Sequence, residues 1–262
     1  MILYKYQGAG NDFLMADNRE GKAALDQETI RLVCDRHYGL GADGVILVGR
    51  ASGYDFSMEF FNPDGTGGMM CGNGGRCAVA FAADLGIGKF SFLAPDGPHR
   101  GEILSCDGRT RTVKLEMRDV GGYEMIGDSI FMDTGTRHLV VPVTGIEEVD
   151  VCGEGRRLRY DSRFAPIGTN VDFIEWKGNV LHVRTYEKGV EGETLACGTG
   201  IVASALGAFI FEVGAPGRHE ILVRARRDDL SVSFEAEPGK DGVVFRSVAL
   251  TGPAAFVAKV EL

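Results

Sequence analysis

Short segments in which apolar and polar residues alternate dominate the chain, and this pattern predicts β-strands. Helical spacing is predicted at about residues 26–36, 73–86, 145–150 and 199–213. Strands outnumber helices, which favours a strand-rich α+β architecture over alternating parallel α/β units. The ten predicted strands are MILYKY, DGVILVG, DFSMEFF, RTVKLEM, HLVVPV, NVDFIEW, VLHVRTY, EILVRAR, LSVSFEA and VVFRSVAL.

Two of the predicted helices, in GNGGRCAVAFAADLG and GTGIVASALGAFIFEVG, are apolar on nearly every face. A helix with this pattern is usually enclosed on all sides, so each is predicted to be wrapped by a sheet. Both follow a similar motif, because Cys71-Gly-Asn-Gly recurs as Cys197-Gly-Thr-Gly.

The order of motifs is repeated as well. GAGNDFLM in the first half is answered by IGTNVDFIEW in the second, which aligns Asn11 with Asn170. We therefore predict two pseudo-symmetric domains, each a barrel-like sheet around a central helix, with a cleft between them. They are placed at residues 1–118 plus 252–262 and at residues 119–251.

The composition of the chain argues against several classes of function. A net charge of −9 argues against a nucleic-acid partner or an acidic membrane surface. The longest apolar run, at 200–214, is too short to span a bilayer, and no signal peptide is visible, so a cytoplasmic protein is expected. The six cysteines are then expected to be free thiols, and the absence of a CxxC pair argues against a zinc ribbon and against a thioredoxin-type motif.

A cysteine before Gly-X-Gly at a helix start lies in the field of the helix N-terminus, which favours thiolate. Free N–H groups there can hold a carboxylate. A single free cysteine is more often a small buried residue, and Cys34 and Cys77 are predicted to be core residues of this kind. Cys106 and Cys152 lie in turn-like contexts.

Two matched thiols that face one ligand suggest a specific reaction. One thiolate can remove the proton from a carbon next to a carboxylate while the opposite thiol delivers another proton, which inverts the stereocentre. The helix N–H groups would stabilise the charge that builds on the carboxylate. Racemisation or epimerisation of a small amino acid follows, with no pyridoxal cofactor and no metal.

The motifs GAGNDF, RHYGLGADG, FNPDGTGGMMCGNGGRC and TYEKGVEGETLACGTG, in this order, resemble the diaminopimelate epimerase family over most of the chain. The resemblance implies a pyridoxal-independent two-thiol epimerase that interconverts LL- and meso-2,6-diaminopimelate for lysine and peptidoglycan synthesis. It also implies the two-domain fold described above and a homodimer.

The resemblance assigns roles to individual residues. Cys71 and Cys197 become the acid/base pair, the first as donor and the second as acceptor in one direction. Glu187 would hold the reacting amine and, with His138, tune the thiols. By their local patterns alone, His138 could be a structural histidine, Glu187 an exposed carboxylate and the asparagines turn residues. Substrate contacts are implied for Asn11, Asn62, Gly72, Asn73, Asn170, Glu187, Lys188, Gly198 and Thr199.

The chain departs from the family pattern beside the site. Lys188 stands where Arg is typical, and Thr136-Arg137 precede His138 where the family often has Asn-Pro. Gly44 occupies a position at which some members have Gln, and PDGTGGMM lacks a common glutamate. These departures keep open a racemase or epimerase of proline, hydroxyproline or histidine, and Arg137 is a candidate replacement for the missing guanidinium.

Two further functions compete with this interpretation. GLGADG at 39–44 satisfies the spacing of a dinucleotide-binding fingerprint, but it follows a predicted helix and precedes a strand, the reverse of the required order. A non-enzymatic thiol switch, in which Cys71 and Cys197 form a reversible disulfide, is the other alternative.

Overall fold

The computed structural model describes residues 1–23, 25–240 and 242–261, and the chain divides into two compact units. Unit 1 combines Met1–Leu115 with the C-terminal residues from Gly252, and unit 2 is Glu116–Thr251. The division after Leu115 falls slightly before the predicted boundary after residue 118. No helix in the described part of the chain is long and apolar enough to cross a membrane.

The elements of the first half run in the order strand, strand, helix, strand, strand, helix and three strands. They are β1 (Ile2–Gly8), β2 (Asn11–Asp17), α1 (Gln27–Cys34), β3 (Val45–Gly49), β4 (Phe56–Phe61), α2 (Gly72–Asp84), β5 (Ser91–Ala94), β6 (Gly97–Asp107) and β7 (Thr110–Glu116).

The second half repeats this order with two additional short strands, one at its start and one before its second α-helix. Its elements are β8 (Glu124–Ile126), β9 (Ser129–Asp133), β10 (Arg137–Pro142), α3 (Val151–Arg159), β11 (Asn170–Lys177), β12 (Val180–Glu187), β13 (Gly192–Thr194), α4 (Gly198–Phe211), β14 (Gly217–Arg224), β15 (Asp229–Gly239) and β16 (Gly242–Glu261). Single 3₁₀ turns lie at Ile146–Glu148 and Ser162–Phe164.

In unit 1 the strands form a closed ring. Each of β1 to β6 pairs with the next strand, and the C-terminal part of β16 pairs with both β7 and β1. The β2–β3 and β4–β5 pairs are parallel, and the other pairs are antiparallel. The ring is thus an eight-stranded barrel whose last strand comes from the C-terminus.

In unit 2 the strands pair in the order β8–β9–β10–β11–β12–β14–β15–β16, and β13 adds to β12. The β10–β11 and β12–β14 pairs are parallel. Val120, just before β8, forms a bridge with Phe245 of β16. The predicted strand-rich α+β architecture is confirmed.

Each unit wraps its sheet around one apolar helix. Residues from Gly72 to Ala82 of α2 are all buried, as is most of α4 between Gly198 and Phe209. A second helix covers the other side of the sheet: in unit 1, Ile30 and Val33 of α1 pack on Val45 and Leu47 of β3, while Ile46 faces α2. Because both faces of β3 are covered, its sequence reads as a continuous apolar run.

In β11, as in β3, successive side chains point to opposite faces of the sheet. Val171 and Phe173 pack with Val151 of α3, so the intervening Asp172 points to the opposite face, toward Gly200 of α4. An aspartate therefore lies fully buried inside unit 2.

The topology corrects the predicted alignment of Asn11 with Asn170. Strand β2 precedes a crossover helix and pairs in parallel with β3, and β10 precedes a crossover helix and pairs in parallel with β11. The β2 strand therefore corresponds to β10, and β3 to β11. In this correspondence Val45 matches Val171, and the two are equally far from Cys71 and Cys197.

Several other local predictions are wrong. Cys152 lies in α3 and Cys106 in β6, not in turns, and both are exposed. The segment at 145–150 forms only a single 3₁₀ turn. The predicted burial of Cys34 and Cys77 is confirmed.

Candidate active site

Cys71 is the N-cap residue of α2. Its backbone is extended (φ −115°, ψ 152°), and its Sγ accepts a hydrogen bond from the amide of Gly74 at 3.2 Å. The sulfur occupies the place that a Ser or Asp oxygen normally takes at a helix start. A Cβ at Gly74 would lie 3.2 Å from this sulfur, so glycine leaves room for the thiol. The N–H groups of Gly72 and Asn73 belong to the first turn, where the helix supplies no acceptor.

Cys197 takes the same position before α4, but it is buried. Burial raises the pKa of its thiol well above the ordinary value, and the charges of Glu187 and Asp172 raise the pKa further. Hydrogen bonds from the Thr199 hydroxyl and the Gly200 amide act in the opposite direction. The expectation that thiolate is favoured at the helix start is therefore wrong for Cys197, because burial and the two carboxylate charges raise its pKa by more than the two hydrogen bonds lower it.

His138 lies beside the start of α4 and is fully buried. Its Nε2 is 2.9 Å from the Thr136 hydroxyl and 3.0 Å from the Thr199 hydroxyl, which is 3.5 Å from the Cys197 sulfur. Its Nδ1 is 2.7 Å from Asp172. A chain of polar contacts thus runs from a buried carboxylate through His138 and Thr199 to Cys197.

Gly200, the second glycine of the motif, is required by this packing. A Cβ at this position would lie 2.5 Å from Asp172 Oδ1 and 3.2 Å from His138 Cε1. Both contacts are too close for an alanine without movement of the buried pair.

Asn170 fastens two segments of unit 2 together. Its side-chain oxygen accepts from the backbone N–H of Lys188 at 2.8 Å, and its amide nitrogen donates to the Thr136 hydroxyl at 3.1 Å and to the Arg137 carbonyl at 3.0 Å. The departures at Thr136, Arg137 and Lys188 from the family pattern are thus neighbours, and Glu187 ends β12 directly before Lys188.

In unit 1, Asn11 begins β2 and donates from its side chain to Asp43 at 2.6 Å. Arg36 donates to the same Asp43 carboxylate at 2.6 Å. Asn73 lies on the other side, with its side-chain nitrogen 3.5 Å from the Asn11 oxygen, and its own oxygen accepts from the buried Arg76 at 2.9 Å. The structure therefore brings Asn11 and Asn73 together at the start of α2.

Asn62 follows β4 in a turn, where it donates to the Thr66 hydroxyl at 3.1 Å. The departure at Gly44 has a steric reason, because a Cβ there would lie 2.4 Å from the Phe60 ring and 2.6 Å from the Phe61 carbonyl. This backbone therefore admits no glutamine at position 44. Residues 39–44 lie between α1 and β3, so the predicted failure of the dinucleotide fingerprint is confirmed.

Sequence reasoning missed Asp172 and its second partner, Thr185, whose hydroxyl donates to Asp172 Oδ1 at 2.6 Å. A signal was present, since Asp172 interrupts the otherwise apolar run VDFI of the predicted strand NVDFIEW. The identity of its partners follows only from the register, in which His138 lies beside Asn170 across β10 and β11.

The fold is shared with solved structures of low sequence identity. A PhzF-family phenazine biosynthesis protein from Bacillus anthracis superposes with a TM-score of 0.78 at 14% identity, covering 100% of this chain and 98% of its own. A probable proline racemase from Agrobacterium radiobacter K84 superposes with a TM-score of 0.71 at 14% identity, covering 100% and 92%. The architecture of two helix-centred units is thus that of the PhzF and proline racemase fold class.

Sequence comparison identifies the family within that class. The family model for diaminopimelate epimerase matches residues 3–118 and 130–257. A diaminopimelate epimerase from Flavobacterium psychrophilum is 39% identical over 266 aligned residues, covering 100% of both chains. One from Chlorobaculum tepidum is 43% identical over 213 residues, covering 77% of this chain and 81% of its own. The chain belongs to the diaminopimelate epimerase family and is an isomerase.

Proposed function

We propose that the protein interconverts LL- and meso-2,6-diaminopimelate by a two-base mechanism in which Cys71 and Cys197 act on opposite faces of the α-carbon. The observation that carries this proposal is the matched placement of the two thiols, each directly before the first turn of a buried helix. Family membership supplies the substrate class.

In one direction, the Cys197 thiolate takes the α-proton and the Cys71 thiol delivers a proton to the other face. The carbon–hydrogen bond breaks on one side and a new one forms on the other, with no change in oxidation state. The raised pKa of Cys197 supports its role as acceptor, because its thiolate, once formed, is a stronger base toward a weakly acidic carbon.

The helix amides stabilise the charge that develops in this step. As the proton leaves, negative charge moves onto the neighbouring carboxylate, and N–H groups at the helix starts, those of Gly72, Asn73, Gly198 and Thr199, would stabilise it. In each unit this first turn carries no acidic residue that would oppose the carboxylate. No pyridoxal is needed in this scheme.

Polar side chains around the two helix starts complete the proposed site. Glu187 holds the reacting amine, and Asn11, Asn62, Asn170 and Lys188 contact the other polar groups of the substrate. Asn170 supports this assignment because it holds the backbone of Lys188 in place through its side-chain oxygen. In the cell, we place the reaction in lysine and peptidoglycan precursor synthesis in the cytoplasm, with the protein acting as a homodimer.

A second candidate is an epimerase or racemase of proline, hydroxyproline or histidine with the same two thiols. It is favoured by the neighbouring departures Thr136 and Lys188, which replace a planar amide and a guanidinium by a hydroxyl and a point charge. Both candidates share the chemistry and differ only in the end of the substrate that does not react.

The test is incubation of the reduced protein with LL-diaminopimelate and separation of the stereoisomers by chiral chromatography, with proline, hydroxyproline and histidine run in parallel. We expect Cys71→Ala and Cys197→Ala each to lower turnover by roughly 100- to 10,000-fold, because each removes one proton-transfer group. Cys152→Ala is the matched control: its thiol is exposed on α3, and activity should stay within about twofold.

Turnover of another amino acid without turnover of LL-diaminopimelate would replace the proposed substrate by the second candidate. Full activity in either active-site cysteine variant would contradict the two-base mechanism itself.

A further inference from the structure

The most unusual buried group of unit 2 is the carboxylate of Asp172. Its side chain is 0% exposed, and both oxygens are occupied, Oδ1 by the Thr185 hydroxyl at 2.6 Å and Oδ2 by His138 Nδ1 at 2.7 Å. A buried carboxylate is costly unless it is paired, so its presence among apolar strand residues calls for a role.

We propose that Asp172 is a positioning residue for the reaction proposed above, on which this inference rests. It keeps a proton on Nδ1 of His138 and thereby presents Nε2 to the hydroxyl pair Thr136 and Thr199, next to Cys197.

The direction of each hydrogen bond follows from the partners. An ionised carboxylate can only accept, so His138 Nδ1 donates to Asp172 and, in the neutral ring, Nε2 is left as an acceptor. The Asn170 amide donates to the Thr136 oxygen, which leaves the Thr136 proton free to bond to Nε2.

This arrangement releases the second hydroxyl. With Nε2 engaged by Thr136, the proton of Thr199 can point to the Cys197 sulfur, 3.5 Å away, where it stabilises the thiolate. The opposite tautomer would place a ring lone pair on Nδ1, 2.7 Å from the Asp172 carboxylate, and this contact would then have no proton to share. Asp172 thus fixes the tautomer of the ring whose Nε2 contacts the two hydroxyls beside the reacting thiol.

Three titratable groups of the described part of unit 2 face this network. Asp172 on β11 and Glu187 at the end of β12 are the carboxylates that act on Cys197, and His138 on β10 is the neighbouring ring. Removal of the Asp172 charge therefore acts on both the His138 ring and the Cys197 thiol. The tautomer of the ring and the rate of the reaction must for this reason be measured separately.

The first measurement uses the unaltered protein. With uniform ¹⁵N labelling, the ring nitrogens of His138 are assigned by comparison with His138→Gln, which is feasible because the chain has five histidines. At a pH where the ring is neutral, we expect Nδ1 to carry the proton. A ring with the proton on Nε2 would overturn the inference, and this result does not depend on the folding of a variant at position 172.

The second measurement uses Asp172→Asn, which keeps the shape and removes the charge. While Thr185 continues to donate to the side-chain oxygen, the new amide faces Nδ1 and forces the proton onto Nε2. We expect kcat to fall by roughly 100- to 10,000-fold, where the upper value is about that of the same change in a serine protease triad, with a smaller effect on KM and a shifted pH profile.

Thr185→Val is the matched control, because it removes a hydrogen bond from the same carboxylate without touching His138 or the charge. Its kcat should stay within about fivefold and its pH profile should keep the form of the unaltered protein. Asp172→Asn with an unchanged tautomer, kcat and pH profile would overturn the inference. If LL-diaminopimelate is not turned over but Asp172→Asn still moves the His138 proton, the proposed function fails while the positioning role stands.

Discussion

Cys71 and Cys197 occupy equivalent positions at two helix starts, but their surroundings differ. Cys71 is half-buried and accepts from the Gly74 amide, whereas Cys197 is buried and faces two carboxylates. Position at a helix N-terminus is readable from sequence, but the depth of burial and the nearby charges are not. For Cys197 these two effects raise the pKa, so the thiol is the dominant form at neutral pH.

A substitution of Glu187 tests directly how nearby charge affects the pKa of Cys197. Glu187→Gln removes a carboxylate that raises the pKa of Cys197, so the pKa should fall and the thiolate fraction at pH 8 should rise. We expect alkylation of Cys197 by iodoacetamide to become roughly threefold to tenfold faster at that pH, because a larger fraction of the thiol is ionised. The rate is measured by mass spectrometry of the Cys197 peptide.

Other thiols of the chain serve as internal controls. The exposed Cys152 should be alkylated equally fast in both proteins, and the buried Cys77, whose pKa is raised to about 12 by burial, should stay unlabelled. An unchanged Cys197 rate in Glu187→Gln would show that Glu187 exerts no charge effect on this thiol.

Among the helices, the sequence best predicted the two that are enclosed on all sides by apolar residues, α2 and α4. Both central helices are apolar throughout because the sheets enclose them. In contrast, α3 was missed because VCGEGRRLR contains two glycines and mainly polar residues, with a narrow apolar face. Its start is fixed by Asp150, whose side chain accepts from the Gly153 amide at 2.9 Å.

The internal repeat would have revealed α3. Once β10 is matched to β2 and β11 to β3, the position of α1 predicts a crossover helix between β10 and β11. The similarity of GNDF and TNVDF was misleading, because it aligned Asn11 with Asn170. These residues begin β2 and β11, which occupy different places in the order of paired strands of their units. Short polar motifs thus gave the wrong correspondence between the two halves of the chain, and the order of the strands gives the right one.

Gly200 tests how tightly α4 packs against β10 and β11. Gly200→Ala would place a Cβ 2.5 Å from Asp172 Oδ1, which forces the buried His138–Asp172 pair to move. We expect the free energy of unfolding to fall by about 1–3 kcal/mol, measured by urea denaturation, and epimerase turnover to fall with it.

The matched control is Gly192→Ala in β13, where a Cβ would meet nothing within 4 Å. Its unfolding free energy should change by less than about 0.5 kcal/mol. Equal stability of the two variants would indicate that α4 shifts freely and that the close approach at Gly200 is not required.

For the whole molecule, the architecture and the family could be predicted because they are carried by local patterns: alternating strands, two apolar helices and a few ordered motifs. The partners of His138 could not, since they depend on a parallel strand register across a long crossover. The same holds for Gly44, whose small size is fixed by the position of Phe60 on a neighbouring strand.

In the proposed reaction, two different thiols handle the proton on opposite faces of one carbon. The most direct measurement is the initial reaction with LL-diaminopimelate in D₂O, with stereoisomers separated by chiral chromatography and deuterium counted by mass spectrometry. A thiol that removes a proton carries only that proton back, so a two-base enzyme should give product with deuterium at the inverted carbon and recovered substrate with hydrogen. Equal deuterium in product and recovered substrate from the earliest time points would contradict the two-base mechanism, because it would show a single base that exchanges its proton with solvent.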